Sequence, residues 1–124
     1  MDGNTFEKLK WPPSVYYNFA TDVIDVWATE EKNKLAMLWT DGNREIKLTF
    51  KDISLQSQQL ANALTKLGCK KDDIILLIMG REIQWWIVLT ACLRMGAVCS
   101  PGTTQLSKDD IAYRVNAAGA TCIV

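Results

Sequence analysis

The sequence contains no histidine among its 124 residues, and this absence excludes many familiar catalytic sites. Neither a serine–histidine–aspartate triad nor a cysteine–histidine pair is available, and the common zinc ligand sets lose their imidazoles. The patterns G-x-G-x-x-G and G-x-x-x-x-G-K-[ST], which place phosphates against backbone amides, are also missing. We interpret all seven glycines as turn or cap glycines instead.

Net charge and long apolar runs are lacking as well. Fourteen basic residues balance fourteen acidic ones, so there is no basic field to collect nucleic-acid phosphates. The longest apolar stretches, IILLIMG and WWIVLTACL, fall short of the ~20 residues that cross a bilayer. The first residues show neither the apolar core of a signal peptide nor an Arg-rich transit composition. We expect a soluble protein with no nucleic-acid partner, no membrane span and no visible transit peptide.

The cysteines show no C-x-x-C spacing. Without histidine, this spacing favours neither a zinc site nor a redox motif. We interpret all four as reduced, mostly buried thiols of an intracellular protein. They are Cys69, Cys92, Cys99 and Cys122.

The composition that is present indicates a folded core. Hydrophobic residues make up 48% of the chain and five residues are tryptophan, which argues against disorder. The length suits a single domain. Pro12 and Pro13 oppose helix formation near the N-terminus, so we predict an extended segment over residues 1–17. The folded domain then occupies residues 18–124.

Two local patterns follow the prolines. A helix is predicted within FATDVIDVWATEEK, with Asn18 as its N-cap. Phe19, Val23 and Trp27 recur every four residues there and are expected to face the core. The next stretch, LAMLWT-DGN-REIKLTF, predicts a β-hairpin whose turn lies at the Asp-Gly pair, because that pair favours positive φ.

A second helix is predicted after the hairpin. Thr49 and Asp52 have the spacing of a capping box, with Asp in place of the usual Glu. Gly68 marks the end of the helix. Apolar residues recur at helical spacing between these limits and predict one buried stripe: Ile53, Leu60, Leu64 and Leu67.

The rest of the chain alternates strands and helices. IILLIMG, AVCS and ATCIV are predicted strands, and IQWWIVLTACLRMG and KDDIAYRVNAAG are predicted helices. Ser107 and Asp110 again have capping-box spacing, and Gly96 and Gly119 follow the helices. This order predicts an α/β fold, with parallel strands joined by crossover helices and preceded by the hairpin.

Most polar residues in these patterns favour a structural interpretation. Adjacent acidic residues, at 72–73 and 109–110, point in different directions and make poor acid–base partners. Trp85 and Trp86 are expected to pack in the core, because base-stacking sites come with interleaved basic charge. Arg81 is expected at the surface, although a single arginine there is also able to meet a phosphate.

The loop PGTTQLS raises a functional alternative. It follows the carboxyl end of a predicted parallel strand, where open α/β sheets bind ligands. Gln105 adds both a hydrogen-bond donor and an acceptor. The spacing alone still favours a structural loop over a binding site.

Several longer stretches resemble a known family. YNFATDVIDVWA, LTKLG, the WW pair before a helix, GAVCSPGTTQLSKDDIAYRV and ATCIV together resemble the beginning of the medium-chain acyl-CoA synthetases. These enzymes are a mitochondrial branch of the adenylate-forming, AMP-binding superfamily. The match covers nearly the whole chain from about Tyr17 onward. Pro-Gly-Thr-x-Gln before a Tyr-Arg helix is fairly specific to that branch.

The resemblance implies a ligase with ATP, coenzyme A and Mg²⁺ as its cofactors. A medium-chain fatty or aromatic carboxylate attacks ATP, giving an acyl-adenylate and pyrophosphate, and the thiol of coenzyme A then displaces AMP. The resemblance also implies the mitochondrial matrix as location. The glutamine of the Pro-Gly-Thr-x-Gln loop contacts coenzyme A in that branch, so Gln105 is carried over as a cofactor-binding residue. No catalytic or metal-binding residue is carried over.

The sequence departs from the family pattern in several places. The Thr/Ser/Gly-rich ATP loop, the Thr-Glu motif that holds Mg²⁺, the hinge aspartate and the C-terminal catalytic lysine have no counterpart here. Residues 18–124 are therefore expected to be an incomplete N-terminal domain of an AMP-dependent ligase, that is, a partial N-terminal subdomain. Ile83 and Gln84 replace the branch's Pro-Glu, and Asp72 replaces a glycine, which leaves the local turn geometry open.

Two interpretations stay open at this point. The chain is either the N-terminal fragment of a ligase, inactive alone, or a complete short product that acts as a non-catalytic interaction module with a ligase-like fold. ATCIV ends at Val124 without a covering segment, which favours the fragment. An unpaired apolar strand edge also predicts self-association through this strand.

Overall fold

The computed structural model describes residues 16–124. Most of the extended segment predicted for residues 1–17 lies outside the described residues. The helices and strands follow the predicted order. They are a π-helical segment (Ala20–Asp25) that continues as α1 (Val26–Glu30), β1 (Leu35–Thr40), β2 (Glu45–Thr49), α2 (Phe50–Lys66), β3 (Ile74–Ile78), α3 (Ile83–Met95), β4 (Val98–Gly102), α4 (Lys108–Ala118) and β5 (Cys122–Ile123).

The predicted hairpin is confirmed. Strands β1 and β2 pair antiparallel, with Trp39 opposite Ile46. At the turn, the Asp41 carboxylate accepts hydrogen bonds from the backbone amides of Asn43 and Arg44, at 2.9 and 2.8 Å. Gly42 has a φ of 92°, which explains why the turn uses an Asp-Gly pair.

The predicted α/β fold is confirmed too. Three strands form a parallel sheet in the order β4-β3-β5. Ile75 of the central strand lies opposite both Cys99 and Cys122. Backbone hydrogen bonds of 2.9 and 2.8 Å join Val124 to Leu76 and Ile78, so the last residue continues the ladder.

The main core lies on one face of this sheet. Helices α2 and α3 pack against each other over that face. The buried members of the core come from α2, α3, β3 and the two connections beside them. They are Leu64, Cys69, Ile75, Leu77, Val88, Cys92 and Ala97. A second cluster joins the first helix and the hairpin to α2 and α3 through Ile24, Leu48, Ile53 and Ile87.

The two predicted capping boxes are confirmed. The Thr49 hydroxyl accepts from the Asp52 amide at 3.2 Å, while the Asp52 carboxylate accepts from the Thr49 amide at 2.8 Å. Ser107 and Asp110 make the same pair of bonds at the start of α4. The Thr49 and Ser107 hydroxyls also donate to these carboxylates at 2.6 Å. The hydroxyl bonds first, and the amide bonds second, lower the pKa of Asp52 and Asp110 below the ordinary 3.8. The boxes also satisfy amides that a helix start leaves free.

Two predictions about buried faces were wrong in part. Phe19 is exposed, whereas Ala20 and Ile24 are buried. The helix begins with a π-helical turn, which has more residues per turn than an α-helix. The residues that face the core therefore differ from the predicted set of Phe19, Val23 and Trp27. Leu67 is 80% exposed. It lies beyond the last residue of α2, where the chain turns toward Gly68 and leaves the buried stripe.

An ion pair that the patterns did not indicate ties three helices together. Arg94 of α3 donates to both carboxylate oxygens of Asp25, at 2.6 and 2.8 Å. The Ser54 hydroxyl of α2 donates to the same carboxylate at 2.6 Å. Arg94 is 13% exposed and Asp25 is 29% exposed. The Arg94 guanidinium lowers the pKa of Asp25 below its ordinary 3.8, so the carboxylate stays charged at neutral pH.

The two departures from the family pattern have simple structural outcomes. Asp72, at the family's glycine position, has a φ of 68°, a conformation that aspartate tolerates better than most residues. Ile83, at the family's proline position, is the first residue of α3, where a proline is also accepted. No helix among residues 16–124 is long and apolar enough to cross a membrane.

Candidate functional site

The Pro-Gly-Thr-Thr-Gln loop begins at the carboxyl end of β4. Gly102 sits where an added Cβ would meet the Leu106 side chain at 3.0 Å, so the loop packs closely against its own end. The backbone amide of Gln105 donates a hydrogen bond to the Thr103 hydroxyl at 3.3 Å, which forms a small turn. Thr103, Thr104 and Gln105 are all exposed. The loop therefore presents polar side chains outward from the sheet edge.

A pocket of about 690 Å³ lies beside this loop. It is bounded by the hairpin, the end of β3, the first turn of α3 and the loop itself. Tryptophan, threonine and aliphatic side chains dominate its walls. The residues are Leu38, Trp39, Thr40, Met79, Gly80, Arg81, Trp85, Trp86, Thr103 and Thr104.

A hydrogen bond holds the two sides of the pocket together. The Trp39 indole Nε1 donates to the Arg81 carbonyl at 2.7 Å, joining the hairpin to the β3–α3 connection. The Arg44 guanidinium carbon lies 5.8 Å from the centroid of the Trp39 ring, within range of a cation–π contact. Trp85 and Trp86 meet edge to face, with centroids 4.8 Å apart.

The predicted site residue is close to the pocket without lining it. Its neighbours Thr103 and Thr104 form one wall, whereas Gln105 lies just outside. Within residues 16–124 the Gln105 side chain makes no hydrogen bond, so its amide group is available to a ligand. Its role in binding coenzyme A stays a prediction.

The two tryptophans differ in burial, although both line the pocket. Trp85 is partly buried and packs against the main core, as predicted. Trp86 is 50% exposed and lines the pocket, so its predicted place in the core was wrong. The reason is that neighbouring residues on a helix face different directions, and only one of the pair faces the sheet. Arg81 is exposed, as expected, but its position at the pocket was not foreseen.

Sequence reasoning also missed Trp39. It alternates within an ordinary strand pattern, and no local signal distinguishes it from a half-buried strand residue. Only the pairing of distant segments brings it to Arg81, 42 residues further along the chain.

The acidic pairs serve structural purposes. Asp110 is the reciprocal partner in the α4 capping box, and Asp109 is exposed beside it. Asp73 accepts a hydrogen bond from the Lys70 amide at 2.9 Å and so stabilises the turn before β3. Neither pair approaches the pocket lining.

The four cysteines carry no disulfide. Cys69 and Cys92 are buried, and Cys99 and Cys122 are half-buried, as the sequence predicted. Burial raises the pKa of Cys92 to about 12, which keeps its thiol protonated and unreactive. Within residues 16–124, no cluster of three or more cysteine or acidic side chains could hold a metal ion.

Comparison with known families decides the identity of this fold. The model of the AMP-binding enzyme family matches residues 24–124. The chain belongs to the AMP-binding enzyme family. Mouse mitochondrial acyl-coenzyme A synthetase ACSM3 is 40% identical over 116 residues, which is 88% of this chain and 20% of that protein. The chain thus spans about a fifth of the length of the curated relatives it matches.

Several solved structures share this fold. The N-terminal domain of Mycobacterium tuberculosis FACL13 aligns with a TM-score of 0.77 at 19% identity, over 87% of this chain and 26% of that chain. The Klebsiella oxytoca NpsA N-terminal subdomain aligns with a TM-score of 0.74 at 22% identity, over 88% and 27% of the two chains. The described residues therefore have the fold of the N-terminal subdomain of adenylate-forming enzymes.

Proposed function

We propose that this chain supplies the N-terminal part of an ATP-dependent acyl-CoA synthetase that activates medium-chain fatty or aromatic carboxylic acids. The acid is converted to an acyl-adenylate with release of pyrophosphate, and coenzyme A then takes the acyl group with release of AMP. The observation that carries the proposal is the 40% identity to mouse mitochondrial ACSM3 over 88% of this chain. The same relative supports a mitochondrial matrix location.

Within this function, the exposed loop after β4 is proposed to contact coenzyme A through Gln105. Support comes from its position at the carboxyl ends of parallel strands, where α/β folds bind ligands. The amide side chain is exposed, and within the described residues it has no competing hydrogen bond. Its carbonyl and amino groups suit the amides and hydroxyls of the pantetheine arm.

A chimeric enzyme tests both the ligase function and the role of Gln105. Residues 18–124 replace the corresponding region of mouse ACSM3, and the chimera is assayed for thioester formation and for pyrophosphate exchange with hexanoate and benzoate. Gln105→Ala is expected to raise the apparent coenzyme A constant several-fold, since one lost polar contact costs about 1 kcal/mol. Pyrophosphate exchange is expected to stay unchanged, because adenylation precedes coenzyme A binding.

Gln59→Ala is the matched control, since Gln59 is an exposed glutamine on α2. It is expected to leave both activities unchanged. An equal fall in both activities for Gln105→Ala would reassign Gln105 to the structure of the loop. A folded chimera that forms no acyl-adenylate would count against the ligase assignment itself.

The 124-residue chain alone is proposed to be inactive, because its sequence carries none of the family's ATP-loop, Mg²⁺-binding or lysine motifs. The test is AMP release with ATP, Mg²⁺, coenzyme A and hexanoate. Release above the no-enzyme control that follows the purified chain would contradict this proposal. The alternative, a non-catalytic interaction module, gains support if neither chain nor chimera is active.

Self-association through β5 is a further part of the proposal. Strand β5 pairs with β3 on one side, and Ile123 is 51% exposed. A charge at an apolar edge position opposes edge pairing, so Ile123→Lys is expected to raise the monomer fraction in sedimentation. A wild-type chain that stays monomeric at high concentration would exclude this association.

A further inference from the structure

All four cysteines of the chain belong to one cluster in the main core. Cys69 and Cys92 are 7% and 0% exposed. Cys99 and Cys122 are half-buried and pack against the same core. No sequence motif groups these residues, so the tertiary structure alone brings the four thiols together.

The register of the parallel sheet fixes the positions of two of these cysteines. Cys99 of β4 and Cys122 of β5 lie opposite Ile75, on either side of the central strand. Residues in register face the same side of a sheet, and Ile75 faces the core beneath α2 and α3. The two outer cysteines are therefore two strand spacings apart, about 10 Å, which is too far for a disulfide between them.

Each outer cysteine instead meets a cysteine that lies above the sheet. The Cys122 thiol hydrogen-bonds with the thiol of Cys69, in the connection after α2, and Cys99 interacts in the same way with Cys92 of α3. Burial first, and the neighbouring thiol second, raise the pKa of Cys69 and that of Cys92, the latter to about 12. Cys92 therefore stays protonated and fully enclosed, which closes the Cys92–Cys99 pair to thiol exchange.

The Cys69–Cys122 pair, in contrast, lies at the edge of the sheet. Among residues 16–124, β5 pairs only with β3, so the outer side of Cys122 is open to a small molecule. Its thiol donates only a weak hydrogen bond, to the Ile123 carbonyl at 3.7 Å. The backbone amide of Cys69 donates to the Leu64 carbonyl at 3.0 Å, which holds Cys69 beside its partner.

We propose that Cys69 and Cys122 form a reversible thiol–disulfide site that exchanges with small disulfides such as oxidised glutathione. The Cys122 thiolate attacks one sulfur of oxidised glutathione, and the first glutathione thiolate leaves. The Cys69 thiolate then attacks the Cys122 sulfur of the mixed disulfide and releases the second glutathione. The two protein thiols are oxidised to one disulfide, and their two protons pass to the two reduced glutathione molecules.

The disulfide would join the edge strand β5 to the connection between α2 and β3. It would close a long loop of the chain and so stabilise the fold by restricting the unfolded state. This inference does not depend on the ligase function, because it requires neither ATP nor coenzyme A.

Peptide mapping of the full 124-residue chain tests the site. The reduced, folded chain is incubated with oxidised glutathione, its free thiols are alkylated, and trypsin separates the four cysteines into four peptides, since a lysine or arginine lies between each neighbouring pair. We expect the loss of two thiols and one cross-link, between the peptides that carry Cys69 and Cys122. Excess reduced glutathione is expected to restore both thiols.

The same oxidation in urea is the control for folding. An unfolded chain favours the shortest loop, so we expect Cys92–Cys99 to be the main cross-link there. A folded chain that loses no thiols, that stops at a glutathione adduct of Cys122, or that forms mainly Cys92–Cys99 would overturn the proposal.

Serine variants and thermal melts provide an independent measurement. Oxidation is expected to raise the melting temperature of the wild-type chain by about 10 °C. Cys122→Ser and Cys69→Ser are expected to abolish this shift, whereas Cys99→Ser, the half-buried matched control, is expected to keep it. Melts of the reduced variants identify any loss of folding. A shift that survives in Cys122→Ser, or disappears in a folded Cys99→Ser chain, would contradict the assigned pair.

Discussion

The two faces of the parallel sheet differ sharply in how they are covered. On one face, α2 and α3 bury Ile75 and Leu77 completely. On the other face, Leu76 of the central strand is also buried, at 2% exposure. However, α4 contributes no buried residue, and Val98 and Ile123 on the flanking strands remain 51% exposed. The strand sequences are apolar on both faces, so the difference comes from the helices above them. A continuously apolar strand indicates two covered faces, and the central strand β3 is buried on both. Among the described residues, only the flanking strands differ between the two faces.

Residues buried on the α2–α3 face stabilise the fold, whereas exposed residues on the other face are accessible to other molecules. The covered face also receives the Asp25–Arg94 pair, which joins the first helix to α3. Strand β5 lies at the edge of the sheet, and among residues 16–124 it pairs only with β3. We therefore expect substitutions on the α2–α3 side and substitutions on the exposed side of β4 and β5 to have unequal effects on stability.

The largest expected effect is a cavity on the covered face. Leu77→Ala is expected to lower the free energy of unfolding by roughly 3 kcal/mol, because a fully buried leucine loses its contacts and leaves a void. Ile123→Ala on the open face is expected to cost well under half as much. Urea unfolding at equal protein concentration measures both. Equal losses would mean that α4 covers its face as well as α2 and α3 cover theirs.

Next comes the ion pair on the covered side. Asp25→Asn is expected to cost roughly 2 kcal/mol at pH 7, less than the ~3–5 kcal/mol of a fully buried pair, since Asp25 is 29% exposed. Asp41→Asn is the matched control, because Asp41 is 30% exposed, as Asp25 is, but its partner Arg44 is 71% exposed, against 13% for Arg94. We expect it to change stability much less. Similar losses for the two variants would remove the distinction between the covered ion pair and a surface one.

The same pair predicts a pH dependence. The folded-state pKa of Asp25 lies below its ordinary 3.8, so its contribution is present above that value and is lost as the pH falls through the folded pKa. The stability difference between wild type and Asp25→Asn is therefore expected to shrink below about pH 4. Paired urea titrations from pH 7 to pH 3 measure this. A difference that stays constant would show that the charge of Asp25 contributes nothing.

The smallest expected effect compares the two capping boxes. Thr49→Ala at the start of α2 is expected to cost about 1 kcal/mol. Ser107→Ala at the start of α4 removes the same type of bond but is expected to cost less, because α4 is less tightly coupled to the core. Thermal melts of both variants measure the order. A larger loss for Ser107→Ala would indicate that α4 contributes more to global stability than its burial suggests.

Several elements were predictable because their signals are local. The Asp-Gly pair predicted the hairpin turn, and the Thr49 and Ser107 patterns predicted both capping boxes. The prediction was less successful where packing decides which side of a residue faces inward. The π turn moved the buried positions to Ala20 and Ile24, and no periodicity based on a regular α-helix anticipates such a turn.

The sequence alone determined the order of helices and strands, the α/β class and the family resemblance, since these depend on turn residues, caps and repeats within short windows. The tertiary structure decided which residues share a surface. The Trp39 indole meets the Arg81 backbone, and the guanidinium of Arg94 meets the carboxylate of Asp25, across separations of 42 and 69 residues. Contacts between distant segments depend on how complete helices and strands pack together. Short-range sequence patterns do not determine that packing.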